Sequence, residues 1–513
     1  MKRWLTFRLD ELKAVMLGIA LAFAFAPFEL FPLAIIAPAG LLALILPASP
    51  KRAFWLGFCF GVGLFGAGVY WIYISVHNYG EVPYLLATLI TAGLVGILAL
   101  FPSTTCYFTT RYFPVNNLAK CIYAFPAIWL TIDWIRSWIG CGFAWLFLGY
   151  SQTNSPLRGY APILSIYGVS LAVLISSGLA VHAYQQFKQN QFQRMYLNLV
   201  AFVSIWILGA LLSLIPWTSI SGKPLTVSLI QGNIPQSMKW SPEHVNLSFE
   251  RYETLTNALW GKSDLIVWPE AAIPVSLQNA AEFIQHLDDK AIAHHAQLIL
   301  GIPIQSPTGD TFYNAIVTLG KSKRTYVKRR LVPYGEYVPF QRFSSHILNF
   351  MNVPMANMEP GKSIQPPLLV GDVKINASIC FEITFPELIN TRDRNIGMLL
   401  TVTNDAWFGQ STAQAQHLQM AQMRAIELGR PVLFASNDGI TAIINAQGQI
   451  IEAAPAHVPY VLTSKVQPMV GLTPWMTNGM DPLLVIIVCL LIAAKRSTYR
   501  SNISAEAALL SKN

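Results

Sequence analysis

Charge is what this sequence has least of. Asp, Glu, Lys and Arg make up 12% of its 513 residues, about half the one-quarter share of a soluble globular chain. With a hydrophobic fraction of 53%, that deficit excludes an ordinary soluble protein and assigns much of the chain to a bilayer. Paired cysteines are missing too. No two of the 6 cysteines stand in C-x-x-C spacing, so neither a zinc site nor a dithiol redox site is indicated. Cys59, Cys106, Cys121, Cys141 and Cys489 lie in or beside apolar segments and read as small buried hydrophobes. Repeats and low-complexity tracts are absent. His294, His295 and His417 have no partners at ligand spacing; they read as surface or helix residues, and no metal or cofactor is assigned. The net charge of +9 does not point to nucleic acid, because the basic residues flank apolar runs as topology signals.

Those runs are what the chain has in abundance. Seven lie near 12–28, 32–49, 53–76, 84–107, 118–139, 163–184 and 195–217, and an eighth, shorter one at 482–494. Each of the seven is near the ~20 residues that a helix needs to cross a membrane. Pro27 and Pro32 bracket a short turn between the first two. The basic start before the first run fits an uncleaved span better than a signal peptide, since apolar sequence continues past the weak Ala24-Phe25-Ala26 cleavage pattern. Lys2, Arg3, Arg8, Lys13, Lys51, Arg52, Arg111, Lys120, Lys188, Arg194, Lys495, Arg496 and Arg500 collect on alternate connections. The positive-inside rule then sets both termini in the cytoplasm and the region 218–480 on the opposite face.

That region changes texture. Residues 226–230, 265–268, 298–301, 315–318, 375–379, 399–402, 432–435 and 442–444 read as strands, and 243–260, 278–293 and 413–428 as helices. Alternating strands and helices imply a layered α/β domain, and about 250 residues suffice for a full core. The expected division is a membrane domain over 1–218, a soluble domain over 219–470, and a last span with a cytoplasmic tail over 471–513.

Within the soluble region Cys380 is the one cysteine, at the exit of the strand-like run Lys374 to Ile379. Strand exits are where α/β enzymes put reactive groups, and an unpaired thiol there is a candidate nucleophile. Glu270 follows another such run, and Lys328 begins the stretch through Glu336. A carboxylate can take the thiol proton and return it to a leaving group. An ammonium, with a backbone N–H, can stabilise an oxyanion. Singly, each has a plainer reading: a structural cysteine, a cap for a helix beginning near Ala271, a solvated basic loop.

The combination resembles the apolipoprotein N-acyltransferase family, a polytopic branch of the nitrilase superfamily. The resemblance rests on Phe65 to Ile72 with Ser75 to Gly80, Leu148 to Gln152, Ile230 to Gln236 with Lys239-Trp240, Trp268-Pro269-Glu270, Lys328 with Leu331 to Pro339, Ile379 to Glu382, Asn404 to Gly409, and Arg424 to Pro431. Three departures are small: Phe381 stands where Tyr is common, Gly142 to Trp145 lacks a frequent Pro, and Asp133 replaces a longer acid.

The resemblance implies about eight spans plus an α-β-β-α nitrilase-like sandwich. It makes Glu270 the general base and acid, Lys328 the oxyanion-stabilising cation and Cys380 the nucleophile. Glu336 and Glu382 would support the triad; Glu336 otherwise pairs with Lys328 or Arg330. Trp240 and Trp407 would lie on mobile loops near a lipid entrance, or act as interfacial anchors. The implied reaction moves an acyl chain from a phospholipid, phosphatidylethanolamine, to the α-amino group of the S-diacylglyceryl cysteine of an apolipoprotein, at the outer face of a bacterial inner membrane. Two alternatives remain: a membrane-anchored amidase or nitrile hydrolase using the triad on water, and a transporter or lipid-binding protein with an inert external domain.

Asp133 and Arg136, three apart on a span, read as an intramembrane ion pair, with a lining for phospholipid headgroups as the alternative. Residues 340–358 read either as core or as an amphipathic arm in the outer interface.

Overall fold

The computed structural model describes residues 2–115, 118–337 and 357–510. The arm expected at 340–358 falls almost wholly outside them. Two compact units emerge: one comprises 1–70, 88–215 and 478–513, the other 71–87 and 216–477.

The first unit is helical, with a helix at each expected apolar run. Among the described residues, four helices are long and apolar enough to cross a membrane: Tyr84–Tyr112, Pro156–Lys188, Phe192–Ser213 and Asp481–Arg500. A fifth candidate, over the run expected at 53–76, is a bent pair, Pro50–Gly68 with Trp71–Tyr79. Leu33–Ile45 is apolar but short. Helix Lys2–Ala22 starts well before the run expected at 12. Asp133 and Arg136 do pair, at 3.0 Å. Arg136 also donates to the Trp145 carbonyl at 2.8 Å and lies over the Phe147 ring, while Trp129 donates to Asp133. The pair thus braces the chain from Phe143 to Phe147 against its own helix, as a buried ion pair with further hydrogen bonds can.

The second unit is a four-layer sandwich. One sheet orders its strands Tyr460–Val466, Leu225–Gln231, Leu265–Val267, Gln297–Gln305, Phe312–Leu319, Thr325–Val327. The other orders Ile450–Ala453, Ala442–Ile444, Val432–Ser436, Ile396–Thr403, Val373–Ile379, Leu368–Val370. Each sheet has parallel strands at its centre and antiparallel ones outside.

Period-2 alternation builds the layers. Ile375, Ala377 and Ile379, with Met398, Leu400 and Val402, face Val227, Leu229, Leu265 and Val267 of the other sheet in one core. The opposite faces carry the helices. Ile230, Ile266, Leu298 and Leu300 pack on Tyr252 and Leu287 of helices Val245–Asn257 and Ala281–Ala293. Leu399, Val432 and Phe434 pack on Leu418, Ala421 and Ala425 of helix Ala413–Leu428. Truncating a central residue such as Leu400 to Ala costs about 2–5 kcal/mol. All eight expected strands and three expected helices are present. The additional strands are short or peripheral.

Candidate active site

Glu270 lies three residues past strand Leu265–Val267. Glycine on the neighbouring strand lets it do so: a Cβ on Gly301 would meet Pro269 O at 2.4 Å and Glu270 Cα at 2.7 Å. No helix begins at Ala271, so the capping alternative fails; the next helix starts at Ala281. Lys328 leaves strand Thr325–Val327, its N–H donating to Asn314 O at 2.8 Å. Cys380 ends strand Val373–Ile379 and opens the 3-10 turn Cys380–Thr384 with φ +52°. A cysteine enters that left-handed region only when its surroundings hold it there.

The side chains converge. Lys328 Nζ lies 3.3 Å from Glu270 Oε1 and 2.8 Å from Glu336 Oε1, with 1% of its side chain exposed. This burial removes the solvated-loop alternative. Asn314 Nδ2 donates to both carboxylates, at 2.7 Å to Glu270 and 2.8 Å to Glu336. The Asn404 N–H donates to Glu270 Oε2 at 3.0 Å. Glu336 closes its own turn by accepting from the Val332 N–H at 2.8 Å. One ammonium and one amide therefore hold two buried carboxylates in fixed places.

Cys380 is half-buried and shares the electrostatic field of this cluster. Burial pushes the thiol well above its ordinary value and the Glu270 carboxylate adds to the rise; Lys328 opposes it, Asp405 adds, and a Thr403 hydroxyl bond opposes. At neutral pH the resting group is a thiol, so it needs a base to become a nucleophile. Burial alone would lower the Lys328 pKa, but Glu270, Glu336 and Cys380 outweigh it and hold it well above the usual lysine value. The ammonium stays charged, as oxyanion stabilisation requires.

Glu382 ties the two halves of the site together. Its Oε2 accepts from the Ile379 N–H and from the Tyr326 hydroxyl, each at 2.8 Å. Its Oε1 accepts from the Arg329 and Arg330 N–H groups at 2.7 and 3.1 Å. One fully buried carboxylate thus clasps the chain just before Cys380 to the chain just after Lys328. Burial raises its pKa, partly offset by Arg329 and the N–H donors.

Trp407 sits in the 3-10 turn Asp405–Phe408, where its carbonyl accepts the Ser75 hydroxyl at 2.7 Å and its ring meets Tyr79. Trp240 follows the short helix Gln236–Lys239, its Nε1 buried without a hydrogen-bond partner among the described residues. Among the described residues, neither side chain is hydrogen-bonded to the carboxylate cluster. Lys239, by contrast, is buried and donates to the Glu270 carbonyl at 3.0 Å; burial lowers its pKa to about 7.

Sequence reasoning missed Asn314, Asn404 as a Glu270 donor, and the pair Asp405 and His417. Of the two readings for His417, surface or helix, the helix is the one found, and the residue is wholly buried there. Asn404 and Asp405 lay inside a motif already singled out; for Asn314 no signal existed beyond a strand end.

Residues 17–179 match the family described as apolipoprotein N-acyltransferase N-terminal domain, and 226–474 match carbon-nitrogen hydrolase. The apolipoprotein N-acyltransferase of Coxiella burnetii is 38% identical over 485 residues, covering 94% of this chain and 99% of that one. The chain belongs to the apolipoprotein N-acyltransferase family. The Vibrio parahaemolyticus member is 36% identical over 496 residues, covering 94% of this chain and 96% of that one. The C. elegans NitFhit structure aligns with TM-score 0.40 and 16% identity over 52% of this chain and 65% of that one. By the match over 226–474 the C-terminal half has the nitrilase-like carbon-nitrogen hydrolase fold; among the described residues three candidate spans, or four with the bent pair, precede it and Asp481–Arg500 follows it. The chain is an acyltransferase that N-acylates lipoproteins in a membrane, with lipoprotein and lipid substrates.

Proposed function

We propose that the transfer runs through a thioester on Cys380. Glu270 takes the thiol proton as sulfur attacks an ester carbonyl of the phospholipid, which we assign as phosphatidylethanolamine. Lys328 and a backbone N–H stabilise the tetrahedral oxyanion. The intermediate collapses, Glu270 returns the proton to the departing glycerol oxygen, and a lysophospholipid leaves. The α-amino group of an S-diacylglyceryl cysteine then attacks the thioester. Glu270 removes its proton, a modest demand for an amine of pKa about 8. The thiol is regenerated and the lipoprotein leaves N-acylated. Water kept from the thioester would otherwise hydrolyse it.

The observation that carries this reading is the approach of Lys328 to Glu270 at 3.3 Å; the charges of both act on the Cys380 thiol, Glu270 raising its pKa and Lys328 lowering it. Glu336 and Glu382 act as supports, by holding Lys328 and by joining the Lys328 and Cys380 segments. Trp240 and Trp407 border the lipid path. The membrane part crosses eight times, through residues 1–218 and 471–513. The catalytic domain, 219–470, faces the periplasm of the inner membrane and both termini face the cytoplasm; the alternating basic connections support this.

Labelled phospholipid with a diacylglyceryl peptide tests the reading. Amide product that disappears in C380S is expected. Free fatty acid in its place would mean a hydrolase acting on water.

A further inference from the structure

A second set of buried polar groups reaches Cys380, and the chemistry above leaves it without a role. His417 Nε2 lies 3.2 Å from the Cys380 carbonyl oxygen. His417 Nδ1 lies 3.0 Å from Asp405 Oδ1 and 3.3 Å from Oδ2. Asp405 Oδ1 also accepts the Thr403 hydroxyl at 2.7 Å. Histidine and aspartate are both fully buried. Phe434 and Phe408 stand edge-on to the imidazole, at 5.2 and 6.3 Å between centroids.

The partners fix the hydrogen-bond roles. A carbonyl oxygen only accepts, so Nε2 carries a hydrogen. Nδ1 is tied to the Asp405 carboxyl, which fixes the orientation of the ring, and Nε2 faces the nucleophile's own carbonyl as a donor.

That carbonyl belongs to the residue held at φ +52°. Its peptide unit is planar and trans, so the Cys380 C=O and the Phe381 N–H point in opposite directions. Gripping one aims the other. Phe381 is the second residue of the 3-10 turn Cys380–Thr384, where the first amides lack acceptors inside the helix. Its N–H adjoins the reactive sulfur in the chain.

We propose that His417, held by Asp405, is a positioning residue for acyl transfer: it grips the Cys380 carbonyl and thereby aims the Phe381 N–H at the oxyanion. The proposal rests on Cys380 being the nucleophile. It assigns His417 no proton transfer and no contact with substrate. Its effect is confined to the step in which charge develops on the acyl oxygen.

Two rates on Cys380 separate this role from packing. Acylation by phospholipid in a single turnover needs an aimed oxyanion donor. Alkylation by iodoacetamide needs only the sulfur. His417→Phe keeps a ring between Phe408 and Phe434 but donates nothing, and His417→Gln restores an N–H. H417F is expected to acylate about 30- to 100-fold more slowly, approaching the loss of one oxyanion donor. H417Q should recover to within about tenfold of wild type, on the same scale. Alkylation and the half-saturating phospholipid concentration should stay near wild type in both.

Wild-type acylation in H417F overturns the proposal, as does alkylation that falls in step with acylation. Where H417F yields no folded protein, Asp405→Asn decides. Its amide donates to Nδ1, so the ring keeps its donor toward the Cys380 carbonyl but is held through a weaker bond. Because the Asp405 charge also raises the thiol pKa, alkylation should hold or rise; slower acylation beside it supports the grip, and an unchanged acylation rate overturns it. A wild-type enzyme that transfers acyl chains with no adduct on Cys380 overturns the underlying reading first, and this one with it.

Discussion

The Asn314 side-chain amide donates to the Glu270 carboxylate at 2.7 Å while also donating to Glu336 at 2.8 Å. Two like charges share one buried site with Lys328, and the amide keeps them in register. Asn314→Leu removes both bonds at similar volume. Turnover is expected to fall about 10- to 100-fold, the scale of a displaced catalytic group. Steady-state transfer assays check this, with thermal unfolding as the control for folding.

The thiol's raised pKa gives a pH prediction with a definite sign. An acid whose folded pKa lies above the working pH gains anion about tenfold per pH unit until that pKa is reached. Iodoacetamide labelling of Cys380 should therefore climb steadily from about pH 6 to about pH 9 without a plateau. Because the Glu270 charge raises the thiol pKa and Lys328 lowers it, Glu270→Gln should label faster than wild type at a given pH. Lys328→Met should label more slowly. Both should lose acyl transfer by about 10²–10⁴-fold. Slower labelling in E270Q would contradict the electrostatics.

Glu382 accepts four hydrogen bonds at once. Gln in its place turns one acceptor end into a donor facing two donors. Each buried group so stranded costs about 1–3 kcal/mol. Glu382→Gln should lower the unfolding temperature by several degrees and slow transfer. Calorimetry and activity on the same preparation check both.

Gly409 closes the turn that carries Asp405 and Trp407, at φ +54° and ψ −159°. That region is essentially reserved for glycine, and the strain for another residue is about 1–3 kcal/mol. An added Cβ would also stand 3.0 Å from Ile74 Cγ2. Gly409→Ala should therefore shift the turn and reduce turnover, with less effect on Cys380 labelling.

The sandwich was largely legible in the sequence because its central strands are buried on both faces and read as apolar runs. Helix Ala413–Leu428 was expected at the bounds it has. Strands such as Thr325–Val327 and Leu368–Val370 were not legible, being short edge strands that are only partly buried, unlike the equally short but fully buried Leu265–Val267 and Ala442–Ile444. The role of His417 was hidden by burial on every side: Gln416, His417, Gln419, Gln422, Arg424 and Glu427 are all buried, so their polarity mimicked a solvated face. The break after Gly68 was invisible because apolar sequence runs through it. Glu270, Lys328 and Cys380 were singled out from strand ends and motif order. Asn314 and Asp405 enter only through hydrogen bonds that the fold creates.

Mass spectrometry of the enzyme mixed with phospholipid alone tests the central claim most directly. An acyl adduct on the peptide bearing Cys380, released when a diacylglyceryl peptide is added and absent in E270Q, is the predicted result. Continued N-acylation by C380S, or transfer by the wild type with that peptide never modified, would contradict it.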